Sequence, residues 1–113
     1  MSMITVIVEY EVEPADKAKL VEVINAHARR TLNEEPGCIL FDIVSPTDLA
    51  GKPIDDRVVI FELYRDAAAF EKHRASPNLP QYFENTKPLI KNRRPVVGQM
   101  AEAGFRDALA RLR

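Results

Sequence analysis

The chain has 113 residues, 16 Lys and Arg against 17 Asp and Glu, and a formal net charge of −1. That length holds one domain and excludes two, and the near-balance of charge excludes a global field that would draw the chain to nucleic acid or a membrane surface. No stretch approaches the roughly 20 apolar residues that cross a bilayer, and a single cysteine, Cys38, forbids an internal disulfide and suits a reducing compartment. The expectation is one cytoplasmic domain over 1–113, with its core at about 4–101 and a C-terminal helical extension at 104–113.

The N-terminus alternates from the start, with no basic leader, and so reads as a strand and not a signal peptide. Over 3–12, Ile4, Val6, Val8, Tyr10 and Val12 fall on one face, with Thr5, Ile7, Glu9 and Glu11 on the other. Pro14 suits the first turn of a helix, where its missing N–H costs little. The stripe of that helix is Leu20, Ile24, Ala28 and Thr31, widened by Val21 and Leu32, with His27 toward its edge. Glu35-Pro36-Gly37 ends it, the glycine being free to take a positive φ.

Residues 38–45 form a second strand, in which Ile39, Phe41 and Ile43 alternate with Cys38, Leu40, Asp42 and Val44. The Pro, Gly and Asp of 46–56 mark a long hairpin loop. A third strand opens at Arg57 with Val58, Val59, Ile60 and Phe61, then carries Glu62, Leu63 and Tyr64. At Asp66 the period changes. Its carboxylate can cap a helix, and Asp66, Ala69, Phe70 and His73 share one face at helical spacing until Pro77 closes the element. Residues 78–90 form a short, broken helical segment between prolines. Lys91, Asn92, Arg93 and Arg94 read as a solvated basic turn able to grip a phosphate or carboxylate, 95–101 as a fourth strand and 105–112 as a terminal helix.

The order strand, helix, strand, strand, helix, strand predicts an α+β, ferredoxin-like βαββαβ fold, an antiparallel four-stranded sheet with both helices on one face. The second and third strands are apolar on both faces, however. Leaving about five or six such side chains wet would cost roughly 1.5–3 kcal/mol each relative to burial. A second copy packed sheet to sheet is the simplest cover, so a homodimer is expected; a terminal helix folded over that face is the alternative.

At this point the residues resemble a known family. The segments EEPGCILFDI (34–43) and VVIFELYRDAAAFEKHRASPNL (58–79) are similar to antibiotic-biosynthesis monooxygenase domains, in the branch of quinol monooxygenases and the isomerase of a phosphorylated quorum-sensing signal. The positions that carry the resemblance are Glu35, Pro36, Gly37, Cys38, Phe41, Glu62, Tyr64, Asp66, His73, Ser76 and Pro77. It implies a dimeric α+β barrel, no cofactor, and a small aromatic or quinone-like substrate. The chain departs from the family in four ways: Tyr64 stands where tryptophan is common, Leu40 where arginine is frequent, the first strand lacks the asparagine of the haem-degrading branch, and the 46–56 loop is longer than the branch implies.

His73 is the leading catalytic candidate, because an imidazole can take a proton near neutral pH; the structural alternative is a core-edge histidine bonded to a carbonyl. Glu62 and Tyr64 share one strand face, Glu62 to orient a histidine or bind substrate and Tyr64 as an acid or a wall. Tyr10, Phe41, Phe61, Tyr82 and Phe83 are expected to line an aromatic substrate cavity, with His27 beside them. Each is equally explained as plain core. The two histidines lack a third ligand at recognisable spacing, so no metal site is expected, and Cys38 reads as a small buried hydrophobe rather than a nucleophile. These residues suit a cofactor-independent monooxygenase of quinols or dihydroxy-aromatics. An isomerase moving a proton alpha to a carbonyl, and a non-catalytic dimeric binding module, are the rival readings.

Overall fold

The computed structural model describes residues 2–101; the expected helix at 105–112 lies outside them. The elements are β1 (Ile4–Glu11), a 3-10 turn at Pro14–Asp16, α1 (Lys17–Glu34), β2 (Cys38–Val44), β3 (Arg57–Tyr64), α2 (Ala67–Arg74), α3 (Leu79–Thr86) and β4 (Asn92–Gln99), with a second 3-10 turn at Lys87–Leu89. The sheet order is β2-β3-β1-β4 with every pairing antiparallel, which is the ferredoxin-like arrangement. Among the described residues no helix is long and apolar enough to cross a membrane.

Alternation places the core. Ile4, Val6, Val8 and Tyr10 of β1 are buried against the helices, opposite Tyr64, Glu62, Ile60 and Val58 of β3. From α1, Leu20, Ile24, Ala28 and Thr31 are buried, the stripe read from the sequence. Asp66 caps α2, accepting a hydrogen bond from the Ala69 N–H at 2.8 Å. The long hairpin loop is pinned by Asp48, whose carboxylate accepts from the N–H groups of Ala50 and Lys52, both at 2.9 Å.

Four local readings are corrected. The residues Asn92–Arg94 open β4 instead of forming a turn; the strand holds Pro95 because it is a sheet edge, where a missing donor is tolerated. In β2, a register shift between Cys38 and Leu40 breaks the alternation, so Cys38 faces the helices together with Phe41 and Ile43. The helix α2 stops at Arg74, well before Pro77. Gly37 does not have a positive φ. Its need is space: a Cβ there would lie 2.4 Å from the Cβ of Ala69.

On the sheet face away from the helices, Val44 and Val96 are 44% and 61% exposed. Leu40, Val59, Phe61 and Ile7 are half-buried there, and Leu63 is fully buried. The wet apolar surface is therefore smaller than alternation alone suggests.

Gly37→Ala forces the turn at 35–37 away from α2, and overpacking of this kind costs about 1–3 kcal/mol. Chemical denaturation of Gly37→Ala, Ala69→Gly and the double variant checks it. The second change should restore part of the loss caused by the first, whereas strictly additive effects would show that the two atoms do not oppose each other.

Candidate active site

Two segments 38 residues apart build the site. The helix α1 ends at Glu35, whose N–H closes the last turn on the Thr31 carbonyl at 2.9 Å. The chain then turns at Pro36-Gly37, and the Gly37 carbonyl accepts a hydrogen bond from the Arg65 N–H at 2.8 Å. That bond ties the turn to the start of the α2 segment. Because Gly37 lets Ala69 approach, α2 lies against the turn, and one helical turn later His73 meets Glu35. The His73 Nδ1 lies 3.0 Å and 3.3 Å from the two Glu35 carboxylate oxygens. A carboxylate only accepts, so Nδ1 carries the proton and Nε2 is the free nitrogen of the neutral ring.

On the other side of the ring, Nε2 is 3.7 Å from Glu62 Oε1, beyond hydrogen-bond range. Glu62 is itself held by the Tyr64 hydroxyl, which donates to the same Oε1. Burial pushes the Glu62 carboxyl above the usual carboxylate range, opposed by the Tyr64 hydrogen bond and the His73 charge. Burial and the Glu62 carboxylate also push Tyr64 up, so its phenol keeps its proton. The order across the buried corner is Glu35, His73, Glu62, Tyr64.

A cavity of about 490 Å³ opens beside it, between the helix-facing side of the sheet and the three helices. Its walls include Val6, Val8 and Tyr10 of β1, His27 of α1, Phe41 of β2, Ile60 and Glu62 of β3, Phe70 and His73 of α2, Leu79, Tyr82 and Phe83 of α3, and Arg93, Pro95 and Val97 of β4. His27 stacks on Tyr82 with ring centroids 3.8 Å apart and meets Phe41 edge to face at 5.7 Å. Burial, together with the charges of His73 and Arg30, pulls the His27 pKa down to about 4, so this imidazole is neutral near pH 7. Burial pushes the Cys38 thiol up to about 11, which leaves it protonated and a poor nucleophile.

Of the residues singled out in the sequence, His73, Glu62, Tyr10, His27, Phe41, Tyr82 and Phe83 all line this cavity. Phe61 does not. It pairs with Ile7 across β1 and β3 and so occupies the opposite sheet face from Glu62, one residue on. Tyr64 is 0% exposed and stands behind Glu62, in contact with His73 at a centroid distance of 5.0 Å; it is not part of the cavity wall, and its hydroxyl donates to the Glu62 carboxylate. Two cavity or site residues were missed. Glu35 carried no local signal of its contact with His73, and Arg93 was read within a basic turn. The parity of β4 against β1, with Arg93 opposite Tyr10, puts it on the cavity face. Among the described residues, no cluster of three or more His, Cys, Asp or Glu side chains is arranged to hold a metal ion.

Solved structures similar to this chain share its architecture. SnoaB, a cofactor-independent oxygenase from Streptomyces nogalater, is 17% identical with a TM-score of 0.74, covering 93% of this chain and 98% of its own. Rv0793 from Mycobacterium tuberculosis is 26% identical with a TM-score of 0.73, covering 91% and 100%. A conserved protein from Methanosarcina mazei Go1 is 17% identical with a TM-score of 0.77, covering 89% and 95%. No curated protein matches the chain at a significant level. The family profile described as antibiotic biosynthesis monooxygenase matches residues 3–85, the segment from β1 through α3 that supplies both Glu35 and His73, and the chain belongs to that family.

Proposed function

We propose that this protein is a cofactor-independent monooxygenase of a small quinol or dihydroxy-aromatic substrate. The observation that carries the reading is the buried His73 ring, with Nδ1 on the Glu35 carboxylate and Nε2 turned toward Glu62 at the wall of an aromatic cavity. The likeness to an oxygenase described as cofactor-independent agrees with it.

In this mechanism His73 Nε2 takes a phenolic proton, and the imidazolium that forms is held by the Glu35 carboxylate. A general base of this kind contributes about 10²–10⁴-fold. The phenolate, flat against Phe41 and Tyr82, is electron-rich enough to reduce dioxygen itself. For a simple hydroquinone the balance is one quinol and one dioxygen giving one hydroxyquinone and one water. Four electrons leave the ring, one oxygen atom enters it, and the other becomes water. The protein's part is orientation and the exclusion of bulk water from the anion. Glu62 is the carboxylate nearest Nε2, at 3.7 Å, and the imidazolium proton passes to it only after the two side chains close to hydrogen-bond distance once the ring has been oxidised.

An oxygen electrode and product mass measured over a set of dihydroxynaphthalenes test this. Wild-type protein should consume oxygen and add one atom of it to the product. His73→Gln should lose about 10²-fold or more in kcat. Glu35→Gln keeps a hydrogen-bond acceptor but not its charge, and should lose about 10–100-fold with KM little changed, the worth of a charge-assisted hydrogen bond. Oxygen-independent turnover of a hydroxyketone by the same His73 would assign the protein to isomerase chemistry instead.

The same reading takes the working unit to be a homodimer closed over the sheet face that carries Val44 and Val96. Sedimentation velocity should give a dimer for wild type and a monomer for Val96→Glu; a wild-type monomer would contradict it.

A further inference from the structure

We infer that the cavity is built for an aromatic substrate that carries a carboxylate, held at the end away from His73 by Arg93 and the Tyr10–Tyr82 hydroxyl pair. For the reaction this rests on the monooxygenase reading; for binding it does not.

Arg93 enters the cavity from β4, and its guanidinium carbon lies 5.9 Å from the centroid of the Phe83 ring. The arginines near it are committed elsewhere. Arg94 is 3.4 Å from Glu9, and Arg57 reaches Glu9, Glu11 and Asp56. Arg74, the other cavity arginine, is 3.0 Å from Glu71 and sits over the Phe70 ring. Among the described residues, Arg93 has no carboxylate within the 4.0 Å of an ion pair. An exposed guanidinium at the rim of a largely apolar chamber, with Tyr10 and the Phe83 ring beside it but no carboxylate, presents its remaining N–H donors to a ligand, and their fork matches a carboxylate.

A second donor stands beside it. The Tyr10 and Tyr82 hydroxyls are 3.4 Å apart, and either can donate to the other. Such a pair uses one of its two protons, so the other O–H remains free for an anion. Burial raises the pKa of both phenols, which keeps both protons in place, while the Arg93 charge works in the opposite direction on each.

The cavity therefore has two unlike ends. Glu62 is its one lining carboxylate and sits with His73, whereas Arg93 and the two phenols occupy the other end. Arg93 pairs with Tyr10 and Glu62 with Val6, four positions along β1 and on the strands flanking it. Strand spacing and rise put their Cα atoms about 16 Å apart. The arginine side chain spans part of that distance, and the aromatic body of a ligand occupies the rest. The hydroxyl to be deprotonated then lies at the His73 end and the carboxylate at the Arg93 end. A carboxylate at the His73 end would instead face Glu62.

The test is calorimetric titration without oxygen, using 6,7-dihydroxy-2-naphthoate against 2,3-dihydroxynaphthalene. These differ only in the carboxylate. Wild type should bind the acid about 10–100-fold more tightly, the range of a charge-assisted hydrogen bond. Arg93→Gln should abolish that preference, weakening the acid far more than the diol, and Arg93→Lys, which keeps the charge but not the fork, should retain part of it. Equal wild-type affinities, an Arg93→Gln effect of the same size on both compounds, a preference that survives in Arg93→Gln, or no binding of either compound would overturn the proposal. Because binding is read without turnover, the two readings fail separately. A preference for the acid with no oxygen uptake removes the reaction and keeps the subsite, and oxygen uptake with no preference does the reverse.

Discussion

The site depends on a contact between two small residues. Gly37 and Ala69 let the turn after α1 and the helix α2 come closer than any side chain at position 37 would allow. Their approach, with the Arg65 N–H bonded to the Gly37 carbonyl, fixes where α2 begins relative to the end of α1. Everything downstream follows from helical geometry. His73 is one turn beyond Ala69 on the same face, Glu35 is two residues before Gly37, and the imidazole and carboxylate meet at 3.0 Å. A buried histidine with no acceptor at Nδ1 would leave its tautomer unspecified and its base nitrogen undefined. Here the packing of two small residues settles a question of proton chemistry.

Burial then sorts the titratable groups of the cavity into roles. It keeps the phenols of Tyr10, Tyr64 and Tyr82 protonated and the thiol of Cys38 inert, and it holds His27 neutral with a pKa of about 4. None of these is disposed to accept a proton from a substrate at neutral pH. His73 differs through its two carboxylate neighbours, one bonded and one 3.7 Å away. The two carboxylates of the site gather at His73, and Arg93 stands beside Tyr10, four positions along β1 from the Glu62 register. That polarity gives a flat ligand a preferred direction, which an apolar cavity alone would not.

Much of this was legible in the sequence because period and burial agree. The alternation of Ile4, Val6, Val8 and Tyr10, the Leu20–Ile24–Ala28–Thr31 stripe and the Asp66 cap each state one local rule and meet no competing one. Where two rules met, the reading failed. The run of basic residues was read as a turn before a strand starting at Pro95, yet an edge strand needs only half its donors and passes through the proline, so β4 begins at Asn92 and carries Arg93 to the cavity face. Gly37 looked like a residue wanted for its φ and is instead wanted for its missing Cβ. Phe61 was counted as a cavity aromatic although the strict period of β3, with Glu62 facing the helices, already assigns it to the far side. Glu35 was named only as one of the positions that carry the family resemblance; no local pattern ties it to His73, which lies 38 residues away and meets it only in the folded chain.

The central claim is that the Glu35 carboxylate fixes His73 with its proton on Nδ1 and its base nitrogen turned toward the cavity. Two-bond 15N–1H correlation spectra of histidine-labelled protein, recorded at a pH where the ring is neutral, measure this directly. The account predicts the Nδ1–H tautomer for His73, with Nε2 showing the shift of an unprotonated nitrogen. An Nε2–H tautomer, or the averaged shifts of a ring exchanging freely between the two, would contradict it.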